Sequence, residues 1–93
     1  RLISNKVLRD FARHYPDADA PLQAFRRLIE AGSFSSFADL RRCFGSVDKV
    51  GERYVFDIGG NKYRLIASID FTPQLVWVKA VLTHADYDKG KWK

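Results

Sequence analysis

Between Asn5 and Tyr15 the apolar residues Val7, Leu8, Phe11, Ala12 and Tyr15 recur at helical spacing, while Lys6, Arg9, Asp10 and Arg13 fill the opposite side. The pattern predicts an amphipathic helix capped by Ser4 or Asn5. It should end at Pro16, since the residue in front of a proline is pushed out of helical backbone. The preceding "RLIS" reads as a short edge strand. A second helix, seeded by the acidic "DADAP", turns Leu22, Phe25, Leu28 and Ile29 inward and stops at Gly32, the residue that most readily takes a left-handed C-terminal conformation. "SFADLRRCF" begins with Ser36 and carries Asp39 three residues on, close to a capping box, and predicts a short third helix.

After Gly45 the period changes to two. In "RYVFDI" Tyr54, Phe56 and Ile58 face one way and Arg53, Val55 and Asp57 the other. Gly59, Gly60 and Asn61 form a turn signal, since all three tolerate positive φ. "KYRLIASIDF" follows as a strand with Tyr63, Leu65, Ala67 and Ile69 on one side and Lys62, Arg64, Ile66 and Ser68 on the other. After a "TPQ" turn, "LVWVKAVLT" alternates Val76, Val78, Ala80 and Leu82 with Trp77, Lys79, Val81 and Thr83. Three strands with two tight connections make an antiparallel meander. The amphipathic helices cover one of its faces. The expectation is an α+β chain, one domain over residues 1–93, with a short helix after the last strand.

With the wholly apolar sets against the helices, Arg53, Lys62, Arg64 and Lys79 share the uncovered face, and His84 and Tyr87 emerge beside it. Composition sharpens that picture. Sixteen Lys and Arg against eleven Asp and Glu give +5, a balance that favours a polyanionic partner such as nucleic acid or an acidic protein. No run approaches the roughly 18 apolar residues of a membrane span, and the N-terminus does not read as a signal peptide. A single cysteine, Cys43, excludes an intrachain disulfide and suits a reducing cytoplasm; it reads as a small core residue.

The runs "YVFDIGGNKYRLIASIDF", "VWVKAV" and "THADYDK", in that order and spacing, resemble the HigB family of bacterial toxins, within the RelE-like group of toxin–antitoxin ribonucleases. "SNKVLRDFARHYPDADAPLQAFRRLI" and "SFADLRRCF" extend the likeness to nearly the whole chain. The resemblance implies a RelE-like fold whose open face cradles RNA. It also implies cleavage of messenger RNA, usually on the translating ribosome, and silencing by a cognate antitoxin. Many such antitoxins carry a helix-turn-helix, so DNA would be met only through the complex.

Metal-free RNA cleavage uses the 2′-OH as nucleophile on its own phosphate and needs a base, an acid and cations. No metal or cofactor is expected: His14 and His84 lie on distant elements, and the carboxylates do not cluster on neighbouring strands. Arg64 is the first candidate for phosphate, being planar and permanently charged; a salt bridge to Asp57 or Glu52 is its competing role. Lys79 is a second cation, or a guard against edge pairing. His84 can exchange protons near neutral pH or cap the following helix. Tyr87, one helical turn on, can act in proton transfer, stack on a base, or simply pack. Arg53, Lys62, Lys89 and Lys91 are candidate RNA contacts. Asp86 and Asp88 read as first-turn carboxylates of the last helix, His14 as structural, and Arg26, Arg27, Arg41 and Arg42 as solvated helix faces. The same face also suits a non-catalytic RNA- or ribosome-binding module, or a domain gripping an acidic protein.

Overall fold

The computed structural model describes residues 2–3, 5–60, 62–90 and 92. Arg1, Ser4, Asn61, Lys91 and Lys93 therefore lie outside the described residues. The chain runs β1 (Leu2–Ile3), α1 (Asn5–His14), a 3-10 turn (Pro16–Ala18), α2 (Asp19–Ala31), α3 (Phe37–Cys43), β2 (Asp48–Val50), β3 (Arg53–Ile58), β4 (Tyr63–Asp70), β5 (Leu75–Thr83) and α4 (His84–Asp88). The sheet order is β1-β5-β4-β3-β2. Strands β2 to β5 pair antiparallel in sequence, and β1 joins the far edge parallel to β5. This is the expected α+β architecture, with β2 as a further edge strand that the period-two pattern does not mark.

The helices pack on one face, as their stripes require. Leu8, Leu22, Phe25, Ile29 and Leu40 meet Tyr54, Phe56, Ile58, Tyr63, Leu65 and Ala67 in a single core. Phe25 and Phe44 both set their rings edge-on or tilted against Phe56, at 4.8 and 5.1 Å between centroids, the spacing at which aromatic quadrupoles attract. Ser36 caps α3 as its motif predicts, its hydroxyl accepting from the Asp39 N–H. The Asp39 carboxylate reaches back in turn and accepts from Ser35 N.

Two helical expectations need correcting, and the stop at Gly32 holds for a different reason. Leu28 is 48% exposed and lies outside the core stripe. Cys43 is exposed, at the end of α3. Gly32 ends α2 in extended backbone (φ −88°). It is there for room, since a Cβ would stand 2.5 Å from the Phe34 ring. Gly59 and Gly60 do adopt the positive φ their turn demands, +62° and +70°.

The largest departure is in β5. Ile66 pairs with Ala80 and Ala67 with Val78, so Lys79 is an extra residue in a β-bulge. Val76 and Val78 face the helices before it; after it Val81 does, opposite Leu65, while Ala80 and Leu82 move to the other side. One inserted residue exchanges the two sets of side chains, as the period of a strand requires. The second face is also less open than expected. Val55 and Ile66, on that side, are 3% and 1% exposed, and the C-terminal segment lies over part of it.

Two local devices lock the layers together. Gln74, at φ +57°, ties the β4–β5 turn to the loop after α2: its side chain donates to the carbonyls of Phe34 (2.5 Å) and Phe71 (2.6 Å) and accepts from Phe34 N (2.8 Å). At the other end, Asp17 accepts from Tyr63 Oη (2.5 Å) and Lys62 Nζ (3.1 Å). The Tyr63 bond, then that from Lys62, holds the Asp17 carboxyl below its ordinary 3.8. The same hydrogen bond, with burial, pushes the Tyr63 phenol up to about 12.

Replacing Gln74 by alanine strands part-buried polar backbone and keeps the left-handed strain, and should cost about 2–4 kcal/mol in urea unfolding. Q74G relieves the strain and should be less destabilised by about 1 kcal/mol; equal losses would show that the backbone conformation contributes nothing. The Asp17–Tyr63 bond has a pH signature. Asp17's contribution is present above 3.8 and lost as pH falls through its lowered folded value; Tyr63's is present below 10 and lost as pH climbs through about 12. The stability difference between the parent and Tyr63→Phe should thus be flat from about pH 5 to 9 and shrink on both sides. A difference that stays constant into acid would show that the bond adds nothing to stability.

Candidate active site

Strands β3 and β4 place Asp57 and Arg64 directly opposite each other, on the face away from the main core. Arg64 Nε lies 3.2 Å from Asp57 Oδ1, and Nη1 donates to the Tyr63 carbonyl at 3.2 Å. On the other flank Leu82 of β5 is Arg64's cross-strand partner. Two residues later α4 begins. Thr83 caps it, its hydroxyl accepting from Asp86 N, and the His84 N–H donates to the Lys62 carbonyl. His84 is therefore the first helical residue and the cap is Thr83.

That placement brings the imidazole to the guanidinium, with His84 Nδ1 3.4 Å from Arg64 Nη2. The other ring nitrogen, Nε2, is 3.1 Å from Asp88 Oδ2, one turn along α4. A guanidinium only donates, so the contact is a hydrogen bond when Nδ1 is the bare nitrogen and the proton sits on Nε2, facing Asp88. Asp88 is consequently a partner of the histidine at the last position of α4, and the first-turn role expected for it falls to Asp86 alone.

Tyr87 lies on the same side of α4, its ring 5.4 Å from the Arg64 guanidinium carbon, within cation–π range. Trp92 stacks on that ring at 5.0 Å and 14°, and its Nε1–H donates to the Tyr87 carbonyl at 3.0 Å. Arg64 is 9% exposed, the one buried polar or charged residue among those described. Asp57, a carbonyl, an imidazole and an aromatic face together compensate a charge that burial would otherwise make very costly.

Of the candidate site residues, the structure brings Arg64, His84 and Tyr87 into one cluster. Lys79 is exposed at the bulge beside Ile66, three residues before Leu82, the β5 partner of Arg64. Lys62 is exposed at the β3–β4 turn, its ammonium bound to Asp17 and directed toward the 3-10 turn. Lys89, exposed, pairs with Asp86 at 3.6 Å on α4. Arg53 is on the face of Arg64, four residues back along β3, and donates to Ser68 Oγ at 2.6 Å. Lys91 lies outside the described residues. His14 bonds the Asp10 carbonyl within its own helix, as a structural residue does. Among the described residues no three His, Cys, Asp or Glu side chains gather as metal ligands would, and no helix is long and apolar enough to cross a membrane.

Sequence reasoning missed Trp92 and undervalued Asp88. A tryptophan between two lysines in a tail has no solvation rationale, and that was an available signal. Asp88 stands four residues after His84, the helical spacing for a side-chain pair.

Comparison with known proteins completes the picture. The family model for the HigB toxin, described as the RelE-like toxic component of a toxin–antitoxin system, matches residues 18–90. The chain is 36% identical over 90 residues to the mRNA interferase toxin HigB of Escherichia coli strain K12, spanning 94% of this chain and 86% of that protein. The mRNA interferase HigB of Shigella flexneri matches to the same extent. That of Escherichia coli O6:H1 is 36% identical over 91 residues, 95% of this chain and 88% of the relative. Matched by the family model over most of its length and by these relatives over nearly all of it, the chain belongs to the HigB family of RelE-like toxins of toxin–antitoxin systems.

Proposed function

We propose that the chain is a messenger RNA endoribonuclease that inhibits translation, acting without a metal by attack of a 2′-OH on the adjacent phosphate. The named relatives are mRNA interferases. The observation that carries the reading to particular residues is the contact between Arg64 Nη2 and His84 Nδ1, at 3.4 Å.

The reaction needs a base at the 2′-OH, positive charge at the phosphorane and a proton for the leaving 5′ oxygen. A phosphate oxygen meeting Arg64 competes with its long contact to His84. Taking that contact leaves His84 Nδ1 as a bare acceptor beside the nucleotide, positioned to remove the 2′ proton. Asp88 holds the opposite nitrogen protonated and stabilises the imidazolium that forms, the logic of any carboxylate–histidine pair. Arg64 then offers guanidinium N–H groups to the non-bridging oxygens as charge accumulates. Tyr87, whose ring is taken up by Arg64 and Trp92, is the candidate to supply the proton for the 5′ oxygen through its phenol.

The partners follow from the same reading: messenger RNA, presented on the translating ribosome, and a cognate antitoxin of the helix-turn-helix type that keeps the toxin silent in the cytoplasm. The antitoxin complex, and not this chain, would contact operator DNA. Lys89 is a candidate phosphate contact, as Lys91 is by its place in the sequence, and Lys79 contributes to the general positive field on that side.

His84→Ala should lower single-turnover cleavage roughly 100-fold or more. R64A should do the same, while R64K, which keeps charge but loses the fork, should recover only part of it. D88N should cost on the order of tenfold, by loosening the imidazole. All are read as the rate of new 5′ ends by primer extension on one messenger RNA, with thermal melting as a control for folding. A His84→Ala protein that folds and cuts at the parent's rate would remove His84 as base; an ordering in which only R64A matters would leave a purely electrostatic site.

A further inference from the structure

A broad cleft in the described structure lies apart from the cluster around Arg64. It holds about 790 Å³ between the β2–β3 turn and Trp92, with Lys49, Glu52, Arg53 and Ser68 among its walls. It lies on the same face of the sheet: Arg53 and Ser68 are on β3 and β4, four residues along the strands from Asp57 and Arg64. At about 3.3 Å per residue that is roughly 13 Å. We propose that this cleft is a subsite for a single-stranded nucleotide flanking the cut, with its base against the Trp92 indole and its phosphate at Arg53 and Lys49.

Three features point to that chemistry. First, Arg53 is held: its Nη1 donates to Ser68 Oγ at 2.6 Å, so a phosphate meets a guanidinium already fixed in place. Second, the wall carries an aromatic ring. Trp92 lines the cleft and is itself kept upright by its stack on Tyr87 and by the bond from Nε1 to the Tyr87 carbonyl. Splayed bases of single strands stack on such rings, and the gain does not depend on which base is present. Third, Glu52 on the same wall offers only acceptors, which suits the N–H groups of a base edge and disfavours filling the whole cleft with phosphate. A cleft built for an acidic peptide would have no use for the indole and would be opposed by this carboxylate.

The aromatic pair also makes the cleft and the cluster one surface. Trp92 stacks on Tyr87, and Tyr87 covers the Arg64 guanidinium. A base seated on Trp92 therefore registers its strand with respect to Arg64 and His84. The proposal rests on the ribonuclease reading, and it can fail while that reading stands.

The test uses the full chain with Trp77→Phe, which leaves Trp92 as the sole indole, since the sequence has two tryptophans. The probe is a 2′-O-methyl RNA hexanucleotide, which binds and cannot be cut. Titration should quench Trp92 fluorescence to saturation. Arg53→Ala and Lys49→Ala, both remote from Tyr87, should each weaken binding by about three- to tenfold and lower the slope of log affinity against log salt by about one. In cleavage of a messenger RNA fragment with ribosomes supplied, the same variants should raise KM and leave kcat near the parent value, the signature of lost substrate binding away from the reacting atoms. Binding without a change in Trp92 fluorescence, or unchanged affinity in both variants, overturns the subsite and leaves the catalytic assignment intact. A parent that neither binds the probe nor cuts messenger RNA with ribosomes supplied would instead remove the ribonuclease reading and the subsite with it.

Discussion

A guanidinium buried in a small sheet is the constraint on which the rest of this structure depends. Arg64 keeps 9% of its surface, in a chain too short to hide a charge cheaply. Its partners come from three levels of organisation. Asp57 is supplied by the β3–β4 register, which the Gly59–Gly60 turn fixes; a one-residue slip would send Asp57 to the opposite face. The Tyr63 carbonyl is supplied by Arg64's own strand. His84 and Tyr87 are supplied by α4, whose start is set by the Thr83 cap and by the bond from His84 N to the Lys62 carbonyl.

That arrangement explains how a permanently charged residue and a titratable one can share a small site. His84 Nδ1 faces Arg64 and Nε2 faces Asp88, so both ring nitrogens have partners. In the proposed mechanism these two contacts orient the imidazole before substrate arrives, so less ordering remains to be done when it does. Trp92 continues the same construction outward by bracing Tyr87, which converts a five-residue helix, too short to be stable alone, into a packed element.

Much of this is legible in the residues, and the failures have identifiable causes. The α1 stripe, the α2 stripe apart from Leu28, the Ser36 cap and the Gly59–Gly60 turn follow from local rules that tertiary packing does not override. The alternation in β3 and β4 holds and puts Arg64 beside Asp57. In β5 it fails because Lys79 occupies a bulge, and a bulge leaves no mark in a run of apolar residues. Alternation alone therefore sets Ala80 and Leu82 with the core, where Val81 belongs. Lys62 is drawn off by Asp17, 45 residues away in sequence, a pairing no local pattern contains. Arg64 looks like an exposed cation in the sequence because the C-terminal segment that helps enclose it looks like a solvated tail. Val55 and Ile66, apolar at positions on the supposedly open side, are the hint that something covers them.

The chemistry of the RNA ends tests the proposed mechanism most directly. A defined messenger RNA fragment is cut by the purified toxin, with ribosomes supplied, and the termini are identified by enzymatic labelling and mass spectrometry. Attack by the 2′-OH, with His84 as base and Arg64 at the phosphate, predicts a 5′-hydroxyl on one product and a 2′,3′-cyclic phosphate or its 3′-phosphate on the other. A 5′-phosphate paired with a 3′-hydroxyl would mean that water attacked the phosphorus, and would contradict a mechanism in which the Arg64–His84–Asp88 cluster activates the 2′-OH.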